Sequence, residues 1–240
     1  MTKQQSHKGT SHRSVIAIVA ARAGSKGLPG KNTLPLCGKP LVSWTLDAAA
    51  EANGIDEIRV TSDDKMVMKL GEKIGAICID RPAELATDTA SIIDVIFHAL
   101  SYPPHPKDED ILVLLQPTSP LRTVEHIDAA LHTFNSSSEI RSLISVCQHD
   151  YHPLKMLMRD SDGYISTVSS DVRQLAMGRQ DLPQAYRQNG AIYIVGIGGF
   201  RKHKTFFIEP CIPLEMSEVE STDIDTRKDF EKVENYLSQG

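Results

Sequence analysis

Between positions 21 and 32 the chain reads Ala21-Arg22-Ala23-Gly24-Ser25-Lys26-Gly27-Leu28-Pro29-Gly30-Lys31-Asn32, interleaving three glycines with three cations. Glycines let a backbone turn with its N–H groups facing inward, and cations neutralise the charge of a polyphosphate. Arg22, Lys26 and Lys31 are therefore expected to grip a triphosphate. The segment is not a Walker A loop: the Gly30-Lys31 pair falls one residue too late from Gly24, and Asn32 stands where Ser or Thr should hold magnesium. A glycine-rich surface turn with solvated lysines is the competing explanation, weakened by the apolar run just before it.

Three further segments carry polar groups at the ends of apolar runs. Arg81-Pro82-Ala83-Glu84-Leu85-Ala86 brings an anion ligand, Arg81, ahead of a helix that Thr89 is placed to cap and whose first turns include Asp94, or on local chemistry is a helix entry and nothing more. At 114–122, Leu-Leu-Gln-Pro-Thr-Ser-Pro-Leu-Arg ends a run abruptly in an amide, two hydroxyls and two prolines; such a rigid turn suits recognition of a base or ribose edge by Gln116, Thr118 and Ser119, or is a well-capped turn alone. Asp223 and Asp225 stand two residues apart, a spacing that in extended chain aims both carboxylates to one face and suits magnesium, with manganese as the alternative. Asp225 or Thr226 serves equally well as the cap of a last helix.

Behind these residues lies an alternation of strands and helices. Apolar runs rich in β-branched residues at 15–21, 57–61, 76–79, 111–115, 143–147 and 191–195 predict buried strands, and three-and-four apolar spacing at 41–52, 65–74, 91–100, 124–134 and 227–237 predicts helices. The implied fold is α/β, a Rossmann-like, doubly wound, mostly parallel sheet of the nucleotide-diphospho-sugar transferase type. Sheets of this kind bind ligands beyond the carboxyl ends of their strands, which is where the four segments fall. The alternation lapses at about 148–188, where charge, aromatics and proline mix without a period, as in a surface insertion, a dimerisation arm or a lid. Residues 1–13 are expected to be a disordered tail and 14–240 a single domain.

Composition narrows the class. With 240 residues and 40% hydrophobic content the chain can fill a sizeable core, and its net charge of −5 is spread in mixed sign with no basic block to suit a nucleic acid. Cys37, Cys78, Cys147 and Cys211 are scattered, with no metal-ligand spacing, and read as reduced core thiols of a cytoplasmic protein. Neither a secretory signal nor a membrane span is visible in the sequence.

VAARAGSKGLPGKNTLPLCGKPLVSWT at 19–45 resembles the opening signature of the acylneuraminate cytidylyltransferases, the CMP-sialic acid synthetases. RPAELA, LLQPTSPLR, RQDLPQAYRQNGAIYI and DIDT follow in that family's order, so the resemblance spans nearly the whole chain from Val15 to Leu237. It implies transfer of CMP from CTP to a nine-carbon 2-keto sugar acid with release of pyrophosphate. It also implies nucleotide contacts from Ala21, Arg22, Gly24, Ser25, Lys26, Lys31, Asn32, Arg81, Ser91, Gln116, Thr118 and Ser119, and sugar contacts from Gln116, Lys155, Arg179, Arg187, Asn189 and Tyr193. Metal falls to Asp223 and Asp225, which join Arg22 and Lys26 as the catalytic set. The family pairs as homodimers whose irregular insert reaches the neighbouring site. Ile92 departs from the pattern, because many members carry a second serine there. Relatives activate legionaminic, pseudaminic or an eight-carbon acid; the motifs fit the sialic-acid group best. Two other classes stay open: a nucleotidylyltransferase acting on a sugar phosphate, and a nucleotide-sugar sensor without turnover, the latter disfavoured by the intact aspartate pair.

Overall fold

The computed structural model describes residues 13–149 and 151–239. Strand β1 (Val15–Ala20) leads through a tight hairpin, β2 (Pro35–Leu36) and β3 (Lys39–Pro40), into helix α1 (Leu41–Glu51). Then come β4 (Glu57–Ser62), α2 (Lys65–Lys73), β5 (Ile77–Asp80), α3 (Ile92–Leu100), β6 (Ile111–Leu115), α4 (Val124–Asn135) and β7 (Ser142–Gln148). A small hairpin, β8 (Leu157–Arg159) and β9 (Ile165–Thr167), precedes β10 (Tyr186–Gly196), α5 (Ile197–His203), β11 (Cys211–Glu215) and the closing helix α6 (Arg227–Gln239).

Seven strands form one sheet in the order β11-β7-β10-β6-β1-β4-β5. β1 pairs in parallel with both β4 and β6, and only β10, between β6 and β7, runs against the others. Because the chain leaves β1 first toward β4 and later toward β6, the carboxyl ends of β1 and β6 border a crevice that no crossover fills. The Rossmann-like class expected from the alternation is the class observed.

Alternation along β1 explains the two layers: Val15, Ala17 and Val19 pack with Val42, Leu46, Ile127 and Leu131 of α1 and α4, while Ile16 and Ile18 pack with Ile96, Leu100 and Phe200 of α3 and α5. A third cluster joins Leu28, Leu36 and Leu41 to Ile224, Phe230 and Val233. It pins the glycine loop and the aspartate segment to α6.

Local chemistry sets the helix starts. Asp64 accepts from the N–H groups of Met66 (2.7 Å) and Val67 (3.4 Å), and Thr123 and His126 close a capping box on α4. α3 is capped by Ser91, whose Oγ accepts from Ile93 N–H at 3.2 Å, and not by Thr89 as the sequence suggested. The cysteines are free, but only Cys147 is buried; Cys37 is exposed at the β2–β3 turn with φ 47°, which corrects the reading of all four as core thiols. The tail expectation falls on residues outside those described, apart from Arg13, which donates to Asn135 Oδ1 at 2.7 Å. The lapse in periodicity corresponds to the β8–β9 hairpin and short 3-10 turns, which expose Met158, Tyr164 and Ile165. No helix among the described residues is long and apolar enough to cross a membrane.

Candidate active site

A cleft of about 470 Å³ opens where β1 and β6 end, lined by Arg22, Gly24, Ser25, Lys26, Gly27, Lys31 and Asn32 from the first loop, by Arg81, by Gln116, Pro117 and Thr118, and by Asp225. Ten of the nominated residues therefore share one cavity. The end of β4 braces the loop: Ala21 N–H donates to Thr61 O at 3.1 Å, and Ala23 N–H to Asp63 Oδ1 at 2.8 Å. Ala21 itself is buried and Ser91 is engaged as a cap, so neither lines the cleft.

Arg81 is 6% exposed, with Nη2 donating to Thr61 O at 2.6 Å. Burial lowers its pKa to about 10, Asp63 opposes that shift and Arg22 adds to it, so a positive field is concentrated at this end of the cleft. Asn32 donates to Arg22 O at 2.9 Å while its Oδ1 is buried without a partner, an acceptor left unsatisfied at the wall of the cleft.

The first loop and the aspartate segment are locked together. Lys31 Nζ donates to Ile224 O at 2.7 Å and to Asp225 Oδ1 at 2.8 Å, and a Cβ on Gly27 would stand 2.2 Å from Asp225 O. Only glycine permits that approach. Asp223 is more buried than Asp225, its Oδ1 lacks a partner, and Ile224 N–H donates to Thr118 O at 2.8 Å. Burial is the main reason the Asp223 pKa is raised; the Asp225 carboxylate adds to the shift, and a hydrogen bond from Thr118 opposes it. Thr226 and Asp229 close the start of α6, Thr226 N–H donating to Asp229 Oδ2 at 2.8 Å.

Gln116 sits against the bulge of β10. The pairing with β7 shifts between Gln188 and Tyr193, Gly190 adopts φ +80°, and a Cβ there would lie 2.9 Å from Gln116 Oε1. The bulge turns Asn189 inward, where Oδ1 accepts from Ser145 Oγ at 2.6 Å and Nδ2 donates to Ser221 Oγ at 2.8 Å. Beneath the turn, buried Arg122 donates through Nη1 to the carbonyls of Gln116 (3.2 Å) and Ala191 (3.0 Å), and burial pushes its pKa down. Ser119 is buried beside it with Oγ unpartnered.

The nominated sugar contacts are dispersed. Tyr193 is half-buried in β10 with its ring 5.6 Å from Phe206, and Arg187 lies earlier on the same strand. Lys155 and Arg179 belong to the irregular segment, where Lys155 donates to Met177 O and Arg179 lines a separate cavity of about 280 Å³ with His149 and His152. Neither lines the main cleft. Sequence reading missed Asp63, Asp88 and the Gly27–Asp225 and Gly190–Gln116 approaches. All are tertiary contacts, and the glycines were the one local signal.

An N-acylneuraminate cytidylyltransferase of Streptococcus agalactiae is 36% identical to this chain over 92% of the chain and 53% of the relative. The CMP-N,N'-diacetyllegionaminic acid synthase of Legionella pneumophila is 35% identical over 93% of the chain and 96% of the relative. The chain thus spans about half the length of the first relative and nearly all of the second. Among solved structures, a CMP:2-keto-3-deoxy-manno-octonic acid synthetase complexed with CTP superposes with a TM-score of 0.69 at 17% identity, covering 94% of this chain and 99% of the other, a likeness of fold. A cytidylyltransferase family model matches residues 16–240, and on that match the chain belongs to the cytidylyltransferase family.

Proposed function

We propose that this chain transfers CMP from CTP to the anomeric hydroxyl of a nine-carbon 2-keto sugar acid, an N-acylneuraminate or a close relative such as legionaminate, and releases pyrophosphate. The observation that carries the reading is the lock between Lys31 and Asp225, which brings the cations of the glycine loop and the Asp225 carboxylate to one cleft. Relatives named for both sugars support the substrate class.

In the reaction the hydroxyl oxygen bonds to the α-phosphorus, the bond to the bridging oxygen of the β-phosphate breaks, and the hydroxyl proton is lost. Arg22 and Lys26 hold the β- and γ-phosphates as negative charge grows on them, and Arg81 adds its field from within the wall. Asn32 Oδ1 and the Gln116 amide read the ribose and base, while Ser25 and the loop amides bind phosphate oxygens. Asp223 and Asp225 would hold magnesium or manganese; the orphaned Asp223 Oδ1 and the exposed Asp225 carboxylate are hard oxygen donors that fit such an ion. When bound, the ion supplies charge neutralisation at the phosphates. Burial makes Asp223 a stronger base than an exposed aspartate and the chain's own candidate for receiving the hydroxyl proton.

Lys155, Arg179 and Arg187 bind the sugar carboxylate, with Asn189 and Tyr193 shaping the floor beside Gln116. Because Lys155 and Arg179 stand away from the cleft within one chain, and because Tyr151, Tyr164 and Ile165 are 69%, 74% and 66% exposed, the active unit is a homodimer in which each irregular arm completes the other's site. Residues 14–240 act as one domain in the cytoplasm, without nucleic acid or membrane. The test is pyrophosphate release from CTP and magnesium with N-acetylneuraminate, legionaminate, pseudaminate and the eight-carbon keto acid in separate reactions. Strong release with one nine-carbon acid supports the reading and names the sugar; silence with all four overturns it. Mixing R179A with D225A protein tests the shared site, since only exchange of subunits restores activity to that pair.

A further inference from the structure

The cations of the glycine loop already hold an anion that belongs to the chain. Arg22 Nη1 lies 2.6 Å from Asp88 Oδ1, and Lys26 Nζ lies 3.1 Å from Asp88 Oδ2. One carboxylate oxygen faces each cation, as two oxygens of a pyrophosphate would. Asp88 is on the connection between β5 and α3, where Thr87 and Ala90 also line the cleft. The first half of that connection is firmly bonded, with Leu85 N–H on Pro82 O at 2.9 Å and Ala86 N–H on Ala83 O at 3.1 Å, but around Asp88 the bonds lengthen: Ala90 N–H reaches Thr87 O at 3.3 Å, and Thr87 Oγ1 reaches Glu84 O at 3.5 Å. The glycine loop opposite is anchored by Ala23 on Asp63, by Lys31 on Ile224 and by Gly27 against Asp225. The stretch around Asp88 is thus held by fewer close contacts than the loop that carries the cations.

We propose that Asp88 is an exchangeable counterion for the phosphate-binding cations: a polyphosphate displaces it from Arg22 and Lys26, and it returns to them as pyrophosphate departs. Asp88 is then a positioning residue that sets how tightly pyrophosphate is held and never touches the reacting atoms. The proposal rests on the cytidylyltransferase reading of the cleft. Its physical basis is competition. Two cations that already share a carboxylate yield less net binding to an incoming anion, by about fivefold in affinity for exposed pairs of this kind. The arrangement favours multiply charged ligands, since a single negative charge only replaces the one displaced.

Asp88→Asn and Asp88→Ser remove the charge at a surface position, and thermal melting of both variants checks that the fold is kept. Titration calorimetry with inorganic pyrophosphate, in magnesium and again in chelator, is expected to show about fivefold tighter binding to both variants, with a matching fall in the KM for CTP and no rise in kcat. Unchanged or weaker pyrophosphate binding in both variants overturns the proposal; weakening seen only with magnesium would instead make Asp88 a metal-carrying group. The two readings fail separately. Wild-type turnover with unaltered pyrophosphate affinity in the variants sinks only the counterion role, whereas tighter pyrophosphate binding without turnover on any sugar acid sinks only the transferase reading.

Discussion

Lys31 and Asp225, nearly two hundred positions apart in sequence, meet at 2.8 Å, and the lysine side chain is only 11% exposed while the carboxylate is 72% exposed. The lysine reaches its partner through a buried path, with its charge shared between Asp225 and the carbonyl of Ile224. A cation held this way orients the carboxylate and leaves its second oxygen free.

Asp225→Ala is therefore expected to lower turnover by about 100-fold or more, the size seen when one preorganised charge-stabilising group is removed. CTP binding stays measurable, because Arg22, Lys26 and Arg81 are untouched. Pyrophosphate release and CTP calorimetry on the same preparation check both halves; full activity in the variant would remove Asp225 from the metal site.

Gly27→Ala and Gly24→Ala form a matched pair. A Cβ at Gly27 meets the Asp225 carbonyl at 2.2 Å, whereas at Gly24 it meets nothing within 4 Å. G27A should cost about 1–3 kcal/mol from overpacking. G24A should stay within about 0.5 kcal/mol of wild type. Urea unfolding distinguishes them, and equal midpoints would show that the two segments are not in contact.

Arg59 is fully buried, paired with Glu57 and donating to the carbonyls of Ala99, Tyr102 and Pro104. Arg59→Met leaves those acceptors stranded and should destabilise the fold by about 3 kcal/mol, the lower end for breaking a buried pair. Calorimetric melting measures the loss, and a change below about 1 kcal/mol would contradict this account.

Burial raises the Asp223 pKa, so ionising this carboxylate opposes folding. The stability it contributes is complete below the unfolded aspartate range and is lost as pH rises through the raised folded value. Asp223→Asn should therefore melt higher than wild type at neutral pH in chelator, by about 2–4 °C for each kcal/mol recovered, and the gap should close on acidification. Added magnesium should raise the melting point of the wild type but not of the variant.

The sheet was legible because each inner strand is an apolar run bounded by polar turns; Ile111–Leu115 matches its expected limits. β11 escaped because Pro213 interrupts its pattern, a substitution an edge strand tolerates, and α5 because Gly198 and Gly199 dilute a short helix. Direction is not written in a strand, so the antiparallel course of β10 was invisible as well. Of the site, the residue types were legible from the glycine loop and the aspartate pair. The contacts that fix them, Asp63 on Ala23 or Gly190 beside Gln116, join segments whose sequences bear no mark of one another.

β10 also has a mechanical meaning. It is a beam of eleven residues that begins beside the irregular arm at Tyr186 and ends at Gly196, opposite the first residue of β6, with its register broken between Gln188 and Tyr193. A pull applied at the arm runs stiffly along the paired segment and reaches a joint at the bulge. There Asn189 passes it to Ser221, two positions before Asp223. The arm and the segment that carries the carboxylates are thus joined through one strand and one side chain, Asn189.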